Sequence, residues 1–166
     1  MTSLIVFLII IINFILESTI IHHFDIFGVV PNTALIITVI VALLRGKRLG
    51  SVVGLISGLL EDIIFCPIIG INAFILFFTG YFVGLMENKL SKDNILIPII
   101  SSLISTISYH LMYSLFLYFL SYDISLVNFF KKTVLIEMAF NGFISIFLYK
   151  WFSKIFVIPS IRFGKR

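Results

Sequence analysis

Long apolar runs follow one another along most of this chain, and each one ends at glycine, proline or a cluster of charges. A helix needs ~20 apolar residues to cross the hydrocarbon core of a bilayer, because it rises only ~1.5 Å per residue. The runs predict transmembrane helices near 3–23, 29–45, 49–66, 70–87, 95–121 and 130–157. We therefore expect an all-α integral membrane protein, built as a bundle of about six transmembrane helices.

Composition also favours lipid over water as the main surroundings of the chain. Of the 166 residues, 60% are hydrophobic and only 12% are charged, and a soluble domain of this size cannot bury so much apolar surface. No repeat or linker-like segment divides the chain, so residues 1–166 are expected to form a single transmembrane domain.

The first apolar run has neither a basic residue before it nor a small-residue cleavage site after it, so we interpret it as a retained helix.

The second predicted span allows more than one arrangement in the bilayer. Its apolar segment, residues 31–44, is shorter than a full bilayer crossing. Such a segment is consistent with a tilted helix, with a helix extended by snorkelling flanks, or with a re-entrant segment. Five spans therefore remain an alternative to six.

The positions of Lys and Arg predict the orientation, since these residues are retained on the cytoplasmic side of membrane helices. In a six-span topology, ten of the twelve fall on one side: Arg45, Lys47, Arg48, Lys89, Lys92, Lys150, Lys154, Arg162, Lys165 and Arg166. The exceptions, Lys131 and Lys132, fall on the other side. This distribution favours six spans and predicts that both termini are cytoplasmic.

The third predicted helix carries a glycine at every fourth position, and an aspartate continues the spacing. Four residues exceed one helical turn by only ~40°, so these residues form one stripe along the helix, and the next helix repeats the spacing. Small residues let helix backbones approach closely in lipid. We predict a helix-packing or partner interface, with the lining of a ligand path as the alternative, at Gly50, Gly54, Gly58, Asp62, Gly80 and Gly84.

Carboxylates and amides interrupt the apolar runs nearer the outer ends of the predicted helices than the inner ends. A carboxylate at bilayer depth costs ~2.5–3.5 kcal/mol by insertion scales unless it is paired or protonated, and amide groups can satisfy its lone pairs. We predict a buried polar cluster in the outward half of the bundle, formed by Glu17, Glu61, Asp62, Asn72, Glu137 and Asn141. The alternative for Glu17 and Glu61 is that they extend to the outer headgroups.

The other residues that can support chemistry are isolated in the sequence. His110 has no partner motif, the pair His22-His23 points to different sides of a helix, and the single Cys66 excludes an internal disulfide. Because no catalytic, nucleotide-binding or metal-binding motif is present, we expect no enzyme activity, no metal and no cofactor. The basic residues lie in short loops and not on one surface interleaved with aromatic residues, so nucleic acid is not an expected partner.

Five short segments follow one another in a distinctive order between residues 30 and 88. They are Val30-Pro31-Asn32, Ala42-Leu43-Leu44-Arg45-Gly46, the glycine and aspartate segment 50–62, Gly70-Ile71-Asn72-Ala73 and Gly80-Tyr81-Phe82-Val83-Gly84. In order and spacing these segments resemble the MreD family of rod shape-determining proteins. Length and the number of predicted spans match over the rest of the chain.

The resemblance implies a nonenzymatic component of the bacterial cell elongation machinery, located in the cell (inner) membrane and acting in lateral peptidoglycan synthesis. Besides membrane lipid, the implied partners are the bitopic protein MreC and, directly or through MreC, the actin-like MreB and the wall polymerase and transpeptidase. The family is also similar in fold to the substrate-binding subunits of energy-coupling-factor transporters, so a small-molecule transporter subunit is the alternative function. We expect an intramembrane adaptor whose small-residue faces dock partner helices, with Asp62 and the nearby glycines holding the bundle or that interface together.

Overall fold

The computed structural model describes residues 2–19, 29–87, 94–121 and 133–156. They form five helices: α1 (Thr2–Thr19), α2 (Thr33–Phe65), α3 (Ile71–Gly84), α4 (Leu96–Phe119) and α5 (Leu135–Phe156). The predicted all-α class is confirmed for this part of the chain.

Helix α2 is broken at Gly46, which has a φ of 83° and a ψ of −179°. Only glycine adopts this backbone conformation without strain. The break reverses the chain, because a Cβ built on Gly50 lies 2.5 Å from the Cβ of Ala42, whereas residues eight positions apart in a continuous helix are separated by ~12 Å. Segments 33–45 and 47–65 therefore pack side by side and antiparallel, and α2 covers two of the predicted spans.

Segment 33–45 is the central helix of the bundle. Residues 33–44 are all buried, and Leu35, Ile40 and Ala42 are completely enclosed. A helix that is apolar on every side is suited to such a position. The short apolar run of the second predicted span therefore belongs to a core helix, which contacts protein on all sides.

The surface of the bundle is apolar and part of its interior is polar. Large apolar side chains that are more than half exposed lie along α1, α4 and α5, among them Leu4, Phe7, Leu111, Leu115, Phe143 and Phe147. Several polar side chains are completely buried between the same helices, namely Ser102, Thr106, Asn141 and Ser145. This distribution is the reverse of that in a soluble protein and is suited to contact with lipid.

Two of the helices, α4 and α5, are long and apolar enough to cross a membrane. The part of α1 from Leu4 to Thr19 and the whole of α3 are shorter apolar helices. Six crossings, the single transmembrane domain and the likeness to transporter subunits therefore remain predictions. The predicted span ends at 20–23 and 130–132 lie outside the described residues.

The described Lys and Arg residues lie at one end of the bundle, and the buried glutamates Glu61 and Glu137 lie at the other. The break in α2 lies at one end, where the Arg45 guanidinium is 5.7 Å from the centre of the Phe156 ring and the Lys47 ammonium is 5.6 Å from that of Tyr81. The other end carries the buried glutamates. It is formed by the last residues of α1, by the first and the last residues of α2, and by the starts of α3 and α5. The candidate functional site is at this acidic end.

Candidate functional site: a polar cavity at the acidic end

A cavity of about 260 Å³ opens among the helix ends at the acidic end of the bundle. All five described helices contribute to its wall. The lining residues are Glu17, Val30, Pro31, Asn32, Glu61, Phe65, Cys66, Asn72, Tyr109, His110, Tyr113 and Glu137. The cavity thus brings together four residues of the predicted polar cluster, and the other two, Asp62 and Asn141, are bonded to residues of its wall.

Asp62 caps the amino terminus of α3. Its Oδ2 accepts hydrogen bonds from the backbone N–H groups of Gly70, at 2.9 Å, and Ala73, at 3.0 Å, and its Oδ1 accepts one from that of Asn72, at 3.2 Å. The first N–H groups of a helix have no partner within the helix, and the helix dipole favours a negative charge at this position. The completely buried Asp62 carboxylate therefore joins the end of α2 to the start of α3.

Asn72 links three elements of the cavity wall. Its Oδ1 accepts a hydrogen bond of 2.6 Å from the Tyr109 hydroxyl, and its Nδ2 lies 3.1 Å from the Sγ of Cys66. The amide therefore connects the start of α3 both to α4 and to the turn after α2. Tyr109 is a site residue that the sequence interpretation missed, because 37 residues separate it from Asn72.

A second network joins α4, α5 and the segment before α2. The Nε2 of His110 is 2.7 Å from Oε2 of Glu137, and the Nδ2 of Asn141 donates to Oε1 of Glu137 at 3.3 Å and to Oγ1 of Thr106 at 3.0 Å. The Oδ1 of Asn141 accepts a bond of 3.2 Å from the backbone N–H of Asn32. His110, which is isolated in the sequence, is thus paired with a carboxylate 27 residues away. The pair His22-His23 lies outside the described residues.

The remaining two carboxylates of the predicted cluster have different surroundings. Glu17 is partly exposed, accepts a hydrogen bond of 3.3 Å from the amide of Asn13, and lies beside Thr33 at the start of α2. Glu61 is only 7% exposed and lines the cavity. No hydrogen bond or ion pair reaches Glu61 within the described residues.

The glycine stripe lies in contacts between helices of the chain itself. A Cβ built on Gly50 lies 2.8 Å from the carbonyl oxygen of Gly80, and one built on Gly58 lies 2.6 Å from the Cα of Ala73. Likewise, a Cβ on Gly54 would meet the backbone carbonyl of Leu76. The stripe therefore faces α3 and is covered by it, and none of these glycines lines the cavity.

Gly84 completes this contact at the basic end of the bundle. A Cβ built there would meet the backbone of Lys47, just after the break in α2. Segment 47–65 and α3 thus touch backbone to backbone along their length. Close approach of this kind needs glycine on at least one of the two helices at each crossing point.

An apolar groove separate from the cavity lies between α3 and α4. Its volume is about 420 Å³, and it is lined by Phe78, Thr79, Phe82, Val83, Met86, Ile104, Ser105, Ser108, Leu111 and Met112. Ser108 is exposed in this groove and Leu111 is 53% exposed. The groove is therefore a surface on which small and apolar residues remain uncovered by the described part of the chain.

Comparison with known proteins identifies the family. The family model of the rod shape-determining protein MreD matches residues 1–156. No curated protein and no solved structure gives a significant match. Because the family match covers almost the whole chain, the chain belongs to the MreD family, whose members are membrane components that determine rod shape.

Proposed function

We propose that this protein is an intramembrane adaptor of the cell elongation machinery, which holds partner helices in position for lateral wall synthesis and rod shape. Membership of the MreD family supports a role in shape determination within the membrane. The observation that carries the adaptor role is the combination of a closely packed helical core with an apolar groove beside it that the described residues leave uncovered.

The core is suited to a mechanical role because its helices meet at backbone distance. Glycines of segment 47–65 and of α3 leave no space for an added Cβ between the two helices. Protein interiors packed in this way resist deformation and transmit displacement. A force applied to one helix of this unit is therefore passed to the others.

The groove between α3 and α4 is the surface that we propose for a partner helix. Helices associate in lipid where small residues permit close contact and hydroxyl groups add hydrogen bonds. The groove offers Thr79, Ser105 and Ser108 among large apolar side chains. The glycine stripe cannot serve in this way because α3 already covers it. A bitopic protein such as MreC has a single membrane helix of the kind that the groove would accept, and MreB and the wall enzymes would be reached directly or through it.

The proposed topology is multi-pass, with both termini in the cytoplasm and the cavity towards the outside. The basic end of the bundle, with Arg45 and Lys47 at the break in α2, would then face the cytoplasm. This arrangement agrees with the retention of Lys and Arg on that side of membrane proteins. Lys131 and Lys132, which the six-span topology leaves outside, lie beyond the described residues.

The alternative of a transporter's substrate-binding subunit has less support. The family match is to shape-determining proteins, and α3 covers the glycine stripe, so within the described residues the stripe does not line a ligand path. The acidic cavity is compatible with either function, so it does not favour transport by itself.

The groove proposal can be tested with two tryptophan variants on neighbouring turns of α4. Leu111 and Leu115 are 53% and 54% exposed, but only Leu111 lines the groove. In cells depleted of the native protein, we expect Leu111→Trp to give rounded cells and to lose copurification with MreC, while Leu115→Trp restores rods. Both variants should reach the membrane in equal amounts. If Leu111→Trp restores rods and retains MreC, the groove is not the docking surface, and a nutrient requirement without rounding would indicate transport.

A further inference from the structure

We infer that the cavity at the acidic end binds a small organic cation, an alkylammonium or guanidinium group, with the Glu61 carboxylate as its principal partner. This inference concerns a ligand site and is independent of the groove proposed for a partner helix. It depends on the difference between Glu61 and the other buried carboxylates, on the charge balance of the cavity wall, and on the aromatic rings that face the same space.

Glu61 differs from its neighbours in having no bonding partner among the residues that the structure describes. Asp62 accepts three backbone N–H bonds, and Glu137 has His110 and Asn141. Glu61 is nevertheless only 7% exposed, and the charged groups acting on it most strongly are other acids. A buried polar group without a hydrogen bond is costly, and a charged one far more so. A donor group that enters the cavity would remove this cost.

The charge of the cavity wall selects a cation as that donor. Three glutamates line the cavity, whereas the described residues of its wall include no Lys or Arg, and the basic residue among them, His110, is paired with Glu137. An anionic ligand would be repelled by this wall. A neutral apolar ligand would leave Glu61 unpaired, so neither class fits the site.

The aromatic lining favours an organic cation over a metal ion. The rings of Tyr109 and Tyr113 stack with their centres 5.9 Å apart, and Phe65 lies on the same wall. Ammonium and guanidinium groups bind to the faces of such rings as well as to carboxylates. Among the described residues, no group of three or more His, Cys, Asp or Glu side chains is placed to hold a metal ion.

The size of the cavity limits the ligand to a small group. Its volume of about 260 Å³ is below the ~300–1,000 Å³ of pockets that enclose drug-sized molecules. The matching chemistry occurs both in free amines and in the end of a Lys or Arg side chain of a partner protein. The experiment therefore needs one arm with the chain alone and one with the chain in its complex.

In the first arm, the purified full chain in detergent is titrated with n-butylammonium, guanidinium or n-butanol while its thermal unfolding is followed. We expect a saturable rise in melting temperature with at least one of the two cations and none with n-butanol. Glu61→Gln, which keeps the shape of the side chain, should weaken the apparent affinity at least tenfold. Glu87→Gln, a change at the basic end of the bundle, should leave the affinity unchanged.

In the second arm, the same titration is applied to the complex copurified with its membrane partners. Persistent binding by the complex identifies a free amine as the natural source of the cation. Loss of binding in the complex, together with weaker copurification of Glu61→Gln, identifies a partner's basic side chain. The inference is overturned if neither cation binds saturably to the chain alone, or if Glu61→Gln binds as tightly as the native chain. A failure here would leave the Leu111→Trp result unaffected.

Discussion

The carboxylate of Asp62 accepts a hydrogen bond of 2.9 Å from the backbone N–H of Gly70, which begins the cap of α3. Gly70 has a φ of 108°, a left-handed conformation that glycine adopts readily. The chain turns there and directs the first N–H groups of α3 at Asp62. Asp62, which continues the glycine stripe in the sequence, thus accepts hydrogen bonds from the start of α3 within the chain itself.

Replacing Asp62 should destabilise the protein in proportion to the bonds lost. Asp62→Ala leaves three N–H groups unpaired, and each unsatisfied buried donor costs about 1–3 kcal/mol. Asp62→Asn can keep its oxygen at the Oδ2 position, which accepts two of the three bonds, so its loss should be smaller. Thermal unfolding in detergent checks this order of stability.

The same variants test whether the cap matters in cells. We expect Asp62→Ala to reduce both rod shape and copurification with MreC, because α3 forms one wall of the proposed groove. An Asp62→Ala protein with native stability, cell shape and partner yield would contradict the capping role.

Gly54 and Gly142 form a matched pair for testing the helix contact. A Cβ at Gly54 would meet the carbonyl of Leu76, whereas one at Gly142 has its nearest neighbour, a Leu103 methyl group, at 3.4 Å. We expect Gly54→Ala to lower the free energy of unfolding by about 1–3 kcal/mol through overpacking. Gly142→Ala should be neutral or slightly stabilising, by up to ~1 kcal/mol, since alanine favours helix. Equal effects of the two changes would show that the α2–α3 contact is not close-packed.

Asn141 should be important for joining α5 to the rest of the bundle. Asn141→Ala removes the acceptor of the Asn32 N–H and the donor to Thr106 and Glu137, so a loss of about 3 kcal/mol is expected from the unsatisfied groups. Ser145→Ala is the control on the same helix, because among the described residues the Ser145 hydroxyl donates only to the carbonyl of Gly142. Chemical denaturation of both variants in mixed micelles measures the difference, and a smaller loss for Asn141→Ala than for Ser145→Ala would refute the linking role.

The five described helices lie on apolar runs of the sequence, because the charged and small residues between the runs mark where one helix ends and the next begins. The reversal within residues 45–48 was predicted, but its restriction to the single residue Gly46 was not, since it depends on one backbone conformation. The depth of each acid along its helix follows from the rise per residue. Its rotation about the helix axis does not follow from the sequence.

The rotation of each helix about its axis decides which polar side chains meet. The sequence does not specify this rotation, so the bonding partners could not be predicted from it. Tyr109 and Asn72 are 37 residues apart, and His110 and Glu137 are 27 residues apart. No spacing rule joins such pairs, because tertiary packing alone sets how α3, α4 and α5 face one another. The Tyr109 and Tyr113 rings, one turn apart, were the available signal for a polar face on α4.

The most direct test of the adaptor proposal is photo-crosslinking in living cells from two exposed positions. A photoreactive amino acid replaces either Leu111, in the groove, or Phe143, which is 62% exposed on α5 and outside the groove. The proposal predicts a strong crosslink to the membrane helix of MreC from position 111 and none from position 143. Equal crosslinks from both positions, or a crosslink from position 143 alone, would contradict it.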